Sequence, residues 1–143
     1  MTDQETSSPE DFNIKTLKKG ETISRFIFSS RQCSGGQAKY AAFLPPQESS
    51  EISVYRIQDL TEEEIWKIDD KYVSGLRGKK SHGRADLNID LLPNLNLTID
   101  PNGDPHPRHA NVCFSEGMMK DNQKLTAMKL AEASIFIPRP DSS

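Results

Sequence analysis

The chain has 143 residues, with 21 acidic and 18 basic side chains and a formal charge of -3. This length suits a single domain that buries its core without disulfides or structural metals, and the acidic balance argues against general adhesion to nucleic acid. No apolar run approaches the roughly eighteen residues of a membrane span, so we expect a cytoplasmic protein without membrane contact.

The composition divides the chain into one domain and two tails. Residues 1–11 are polar, acidic and rich in serine, so they cannot bury enough apolar area to offset the entropy lost on ordering. We expect a disordered N-terminal tail there, one domain over residues 12–138 and a C-terminal tail over residues 139–143. Weak apolar spacing over residues 12–17 predicts a short strand or a docking arm.

Strand patterns follow, with one ambiguous segment. Residues 23–27 have apolar spacing that suits one helix face, although their β-branched and aromatic content also allows a strand. The segment KYAAFL, residues 39–44, predicts a short strand that ends at two prolines. The segment ISVYRI, residues 52–57, predicts another strand.

The first helix has the clearest boundaries in the sequence. Thr61 can act as its N-cap with Glu64 as the capping-box partner, and Gly78 supplies a C-terminal cap. Apolar residues at three- and four-residue spacing predict a helix that ends near Leu76 and places Trp66 in the core.

Alternating residues predict further strands in the second half of the chain. Residues 84–91 and 95–100 each alternate apolar with polar side chains, and Pro93 and Asn94 between them favour a hairpin. The segment HANVCF, residues 109–114, alternates again and predicts a third strand after a loop rich in proline and glycine.

A second helix and a final strand complete the predicted fold. Good helix formers from about Met118 to Ala133 predict the helix, with Leu125 and Met128 on its apolar side, and SIFIP predicts the strand. The predicted fold class is α+β, a mostly antiparallel sheet of roughly four to six strands with two main helices packed on one face.

One candidate site is a cationic loop between the first helix and the following strand. It carries Arg77, Lys79, Lys80, His82 and Arg84 together with two glycines. Arginine and lysine bind phosphate oxygens, and glycine allows the backbone to approach them. The same charges are also ordinary at a helix C-terminus, where they complement the helix dipole.

The second candidate site is PHPRHAN, where a proline-rich loop enters a strand. His106 and His109 could exchange protons near neutral pH while Arg108 stabilises negative charge, which is the logic of metal-independent phosphodiester cleavage. Alternatively, the prolines hold an extended loop and the histidines lie on its surface.

Adjacency of the strands that begin near Arg84 and His109 would unite the two candidate sites. Asp86 could then orient a histidine or pair with an arginine, although a salt-bridged polar sheet face would carry the same residues. The united site would line one edge or face of the sheet with His82, Arg84, Asp86, Arg108, His109 and Asn111.

No metal or cofactor is expected. His82, His106, His109 and Cys113 are acceptable zinc ligands, but His109 and Cys113 lie roughly 13 Å apart along an extended strand. That distance is too long for one ion whose bonds are about 2 Å, and it also argues against a Cys113 nucleophile activated by His109.

The segments HGRADL and PRHANV, preceded by SVYRIQDLTEEEIW, resemble a group of small uncharacterised bacterial hypothetical proteins. The resemblance covers roughly residues 23 to 139. It implies a bacterial, cytoplasmic, single-domain protein and assigns no catalytic role to any position.

These patterns favour a small bacterial accessory protein that acts by binding at an Arg/His-lined sheet edge. The expected ligand is a partner protein or a phosphate-bearing molecule such as a nucleotide or nucleic acid. The ligand-binding candidates are Lys79, Lys80, Arg84, Asp86, Arg108 and Asn111. The alternative is a metal-independent nuclease or other phosphoester-processing enzyme, with His82, His106 and His109 as catalytic candidates.

Overall fold

A computed structural model describes residues 13–46 and 49–140, so the whole predicted N-terminal tail and residues 141–143 of the predicted C-terminal tail lie outside the described residues. The strands are β1 Thr22–Ile27, β2 Cys33–Ser34, β3 Gln37–Ala38, β4 Glu51–Arg56, β5 Gly83–Asn88, β6 Thr98–Asp100, β7 His109–Cys113 and β8 Ile135–Pro138. The helices are α1 Glu62–Ile68, α2 Gly75–Arg77 and α3 Lys120–Ala133, with a π-helical turn at Asp69–Ser74 and 3₁₀ helices at Tyr40–Phe43 and Ile89–Leu95.

Six of these strands form one antiparallel sheet in the order β6-β7-β4-β1-β5-β8, while β2 pairs only with β3. The pair of β1 and β5 is the longest, since the two strands are in register from Thr22 opposite Asn88 to Ile27 opposite Gly83. The α+β class and the antiparallel sheet are therefore confirmed, and the ambiguous segment at residues 23–27 is a strand.

Both faces of the sheet carry a hydrophobic core. Ile23 and Ile27 of β1 pack with α3 on one face, whereas Phe26 packs with Tyr55 and the Trp66 ring of α1 on the other. The two main helices thus lie on opposite faces, and their predicted placement on one face is wrong. The physical reason is that β1 places large apolar side chains on both faces of the sheet, Ile23 and Ile27 on one and Phe26 on the other. Each face must therefore be shielded from water by a packed element.

The first helix begins as predicted. Thr61 Oγ1 accepts a hydrogen bond from the Glu64 backbone N–H at 3.1 Å, and Glu64 Oε1 accepts one from the Thr61 N–H at 2.8 Å. The helical path continues from α1 through the π-helical turn and α2 to Gly78, whose φ of 72° provides the left-handed C-terminal cap. Trp66 is buried, as expected.

The predicted hairpin between residues 84–91 and 95–100 is wrong. β5 pairs with β1 and β8, whereas β6 pairs with β7 on the far side of the sheet. Between them the chain forms a 3₁₀ helix, whose N-cap Asn88 accepts a hydrogen bond from the Asp90 N–H at 2.8 Å. Alternation identified the strand residues but could not identify their partners.

Two further segments differ from their predicted form. KYAAFL contains a 3₁₀ helix rather than a strand, and it buries Ala42 and Phe43. In α3 the side chains of Leu125 and Met128 are 54% and 47% exposed, because the helix instead packs through small Ala127 and Ala131 on either side of Leu130. Strands β4, β7 and β8 confirm the predicted strands at those places.

A buried polar cluster joins the π-helical turn to the end of the chain. Asp69 is 0% exposed and accepts hydrogen bonds from Ser74 Oγ at 2.7 Å, Ser81 Oγ at 2.5 Å and Arg139 Nη1 at 2.7 Å. Arg139 also pairs with Asp70. The sequence places Arg139 in a C-terminal tail, but its side chain is buried in this cluster.

A second buried ion pair fixes the start of the domain. Arg56 Nε donates to Glu21 Oε1 at 2.5 Å, and the two side chains are 1% and 2% exposed. The same guanidinium donates to the backbone oxygens of Ile14 at 2.8 Å and Thr16 at 2.7 Å. Residues 13–21 are therefore held against β4 as an irregular segment, so of the two predicted alternatives the strand is wrong and the docking arm agrees with the structure.

Candidate active site

Polar side chains occupy the part of the α1-side sheet face that lies over β4, β6 and β7. In the register of these strands Ser53 lies opposite Asn111, Tyr55 opposite His109, and Asp100 opposite Asn111. Alternation places their side chains on one face, while Ile52, Val54, Ala110 and Val112 point into the core on the other face. Ser53 and Asp100 are exposed, so this area is open to a ligand.

Three of the side chains form a hydrogen-bonded chain. His109 Nδ1 lies 2.7 Å from Asn102 Oδ1, and His109 Nε2 lies 2.5 Å from Ser53 Oγ. Because the amide oxygen of Asn102 can only accept, Nδ1 carries the proton and Nε2 accepts a hydrogen bond from the Ser53 hydroxyl. The arrangement is that of a hydroxyl nucleophile, a base and a group that orients the base.

The surroundings of His109 keep its imidazole neutral and fixed. Burial lowers the pKa of His109 below 6.5, against an opposing effect of the Asp104 and Asp100 carboxylates. The Tyr55 ring contacts the imidazole edge-on, with 5.2 Å between ring centroids, and burial raises the pKa of Tyr55 to about 12. His109 is thus available at neutral pH as a base next to an exposed serine.

His106 lies beside the hydrogen-bonded side chains of Asn102, His109 and Ser53, where it packs against two tyrosine rings. Its ring contacts Tyr72 at 4.9 Å and Tyr55 at 6.4 Å between centroids, and its Nδ1 accepts a hydrogen bond from the Arg108 N–H at 3.0 Å. Burial, followed by the charges of Arg108 and Lys71, lowers the pKa of His106. The π-helical turn supplies Tyr72, and π turns recur near functional sites.

Arg84 and Asp86 face the same side of the sheet but belong to a different cluster. Arg84 is 1% exposed, and its guanidinium donates to both Glu62 carboxylate oxygens at 2.9 and 2.8 Å and to Asp86 at 3.0 Å. It also lies 5.0 Å from the centre of the Trp66 ring. Arg84 therefore ties α1 to β5 instead of facing solvent.

The predicted adjacency of the strands carrying Arg84 and His109 is wrong, since β1 and β4 lie between β5 and β7. Three strand spacings of about 4.8 Å separate the two strands by roughly 14 Å. Arg108 Nη1 donates to the backbone oxygens of Gln58 at 2.8 Å and Arg56 at 3.3 Å. Of the first candidate site, Lys79, Lys80 and His82 are exposed in the loop before β5. Arg77 is exposed at the end of α2, where its guanidinium lies 4.4 Å from the centre of the Phe28 ring.

In residues 13–46 and 49–140, no group of three or more His, Cys, Asp or Glu side chains is arranged to hold a metal ion. Among the helices described, none is both long enough and apolar enough to cross a bilayer. Comparisons with protein families, curated proteins and solved structures found no match to this chain. The resemblance carried by HGRADL and PRHANV therefore stays a prediction.

Sequence reasoning found His109 but missed Ser53 and Asn102. Ser53 occupies the polar phase of the β4 alternation, and Asn102 lies in the loop before PHPRHAN, so each has the residue type and position that a site residue needs. Nothing in the sequence gives the β4–β7 register, which is what brings Ser53 to a residue 56 positions away.

Proposed function

We propose that this protein is a small serine hydrolase that cleaves acyl esters, with Ser53 as nucleophile and His109 as general base. The observation that carries the proposal is the hydrogen-bonded chain from Asn102 through His109 to Ser53, with contacts of 2.7 and 2.5 Å. Such a chain activates a hydroxyl whose ordinary pKa would leave it a poor nucleophile.

The reaction follows from the positions of the protons. Ser53 Oγ attacks the acyl carbon while its proton passes to His109 Nε2, the bond to the leaving alcohol breaks, and His109 returns the proton to the alcohol oxygen. Water then attacks the acyl group on Ser53 with His109 as base, which releases the carboxylic acid and restores the serine. Asn102 holds the imidazole in the tautomer that both steps need.

The neighbouring strand offers a donor for the charge that develops on the acyl oxygen. Asn111 lies opposite Ser53 in the β4–β7 register and is partly exposed on the same face. Side chains in such a pair have Cβ atoms about 4.5–5.5 Å apart, so the Asn111 amide is within reach of an oxyanion formed at Ser53. Side-chain amides serve this purpose in other acyl-transfer sites.

A serine-reactive fluorophosphonate tests the proposal directly. We expect stoichiometric labelling at Ser53, located by peptide mass spectrometry, and none in Ser53→Ala. His109→Ala should slow labelling by on the order of 10²-fold, because the general base is lost. Ser115→Ala is the matched control, since Ser115 is an exposed serine whose hydroxyl donates to the Asn96 backbone oxygen.

The proposal fails if the wild-type protein is labelled no faster than Ser53→Ala. It also fails if labelling of Ser53 is indifferent to the loss of His109 while circular dichroism shows both proteins folded. Turnover of p-nitrophenyl acetate by the same set of variants provides a second readout that includes the water step.

The second candidate is the binding function predicted from the sequence, with a phosphate-bearing ligand. The observation that favours it is the joint exposure of Lys79, Lys80 and His82 in the loop before β5. Titration with inorganic phosphate and with a nucleotide, followed by NMR, should shift the amides of this loop, and a Lys79→Ala, Lys80→Ala double variant should abolish the shifts. Unshifted loop amides at millimolar ligand would remove this candidate.

A further inference from the structure

Three exposed carboxylates lie on or beside the sheet face that carries Ser53. Glu51 lies two residues before Ser53 in β4 and therefore on the same face of the sheet. Asp100 of β6 lies opposite Asn111, which in turn lies opposite Ser53. Asp104 lies in the loop that leads to His109. All three are exposed. The charges of Asp100 and Asp104 raise the pKa of His109 against the lowering by burial, so these carboxylates act on the imidazole that contacts Ser53.

The two nearby guanidinium groups are directed at backbone oxygens instead of the open face, whereas the Lys71 ammonium lies 5.4 Å from the centre of the Tyr72 ring, on the side of His106. Arg25 lies on the α3 side of the sheet, with Ile23 and Ile27 of β1. It donates to the backbone oxygens of Ala42 at 2.8 Å and Ser53 at 2.9 Å. Arg108 donates to the backbone oxygens of Arg56 and Gln58. A ligand on the Ser53 face therefore meets carboxylates before it meets a guanidinium.

We infer that the hydrolase site selects acyl esters that carry a positive charge near the scissile carbonyl, such as trimethylammonium or amino acyl groups. The inference rests on the proposed function and adds the substrate class. Opposite charges at a partly screened surface attract and like charges repel, so anionic esters and phosphoesters are disfavoured at the same surface. The expected difference in kcat/KM between matched cationic and anionic esters is on the order of tenfold at low salt.

Three p-nitrophenyl esters with acyl chains of equal length test this selection. One chain ends in trimethylammonium, one in its neutral tert-butyl isostere and one in a carboxylate. We expect kcat/KM to fall in that order. The ratio of kcat/KM between the cationic and the anionic ester, here called the spread, should decrease in high salt, because salt screens the carboxylates. Asp100→Asn and Glu51→Gln should each narrow the spread a few-fold, whereas Glu132→Gln on α3, across the sheet, should leave it unchanged.

The two possible failures are distinguishable. If Ser53 is labelled and the esters are cleaved, but the anionic ester is cleaved as fast as the cationic one, the substrate class is wrong and the hydrolase stands. If the three esters are all cleaved no faster by the wild-type protein than by Ser53→Ala, the proposed function itself is wrong.

Discussion

Asn102 is the residue whose role in the site is most open to a direct test. Its side-chain oxygen lies 2.7 Å from His109 Nδ1, whereas Ser53 contacts the other ring nitrogen, so Asn102 acts by holding the imidazole. Groups that orient a catalytic or metal-bound imidazole fix both its tautomer and its basicity. A purely structural asparagine would affect only stability.

We predict that fluorophosphonate labelling of Ser53 in the wild-type protein rises with pH and levels off above a midpoint below 6.5. Burial lowers the pKa of His109, and only the neutral imidazole can accept the serine proton. Asn102→Ala should slow labelling by about tenfold or more, because the imidazole loses its orientation. Asn102→Asp should restore the rate at neutral pH.

Asn102→Asp should also shift the pH dependence of Ser53 labelling to higher pH. A carboxylate at position 102 favours the imidazolium, so the midpoint in Asn102→Asp should rise relative to the wild-type protein. Labelling rates measured from pH 5 to 8, a range that spans the ordinary histidine pKa, check both effects. An unmoved midpoint together with full activity in Asn102→Ala would assign Asn102 a structural role only.

At the scale of elements, the helical path from α1 to α2 depends on the last residues of the fold. The π-helical turn directs Asp69 into the interior, where Ser74, Ser81 and Arg139 satisfy its carboxylate. Gly75 follows this turn, and a Cβ there would lie 2.5 Å from the Asp70 backbone oxygen. The π-helical turn thus links helix α1, which covers one face of the sheet, to the end of the edge strand β8.

We predict that a chain ending at Pro138 is less stable than one ending at Pro140 by about 3–5 kcal/mol. Removal of Arg139 leaves the Asp69 charge buried with hydroxyl partners alone, which is the costly way to break a buried ion pair. Urea denaturation of the two truncated proteins measures the difference. Equal free energies of unfolding would show that the Arg139 contact contributes nothing to the fold.

At the scale of the whole molecule, the pair of Glu21 and Arg56 joins the segment before β1 to the centre of the sheet. The Arg56 guanidinium also binds the backbone oxygens of Ile14 and Thr16, so one side chain in β4 organises the entry of the chain. This anchor is polar, buried and formed between residues 35 positions apart.

We predict that Glu21→Ala lowers the free energy of unfolding by about 3–5 kcal/mol, because Arg56 stays buried and loses its ion pair with the Glu21 carboxylate. Replacing both residues, as Glu21→Ala with Arg56→Met, should recover part of this loss, since neither charge of this pair then remains in the interior. Denaturant unfolding of the wild-type protein, the two single variants and the double variant forms a double-mutant cycle. Additive losses in the double variant would contradict a coupled pair.

Features encoded within a few residues could be predicted from the sequence. Thr61 and Glu64 form their capping box by local contacts, and the β7 alternation already separates the core residues from His109 and Asn111. The same alternation at residues 84–88 identified strand residues but assigned them the wrong partner. Period-two patterning gives the two faces of a strand and contains no information about its neighbour.

The sequence by itself therefore determined the α+β class, the capped helix, the strands at β4, β7 and β8, and His109 as a candidate site residue. The tertiary structure decided the sheet order, the placement of the helices on opposite faces, and the partners of His109. It also moved Arg84 and Arg139 from expected surface positions into buried ion pairs. The physical reason is that strand register and the pairing of buried charges depend on contacts between distant residues, which local composition and periodicity do not specify.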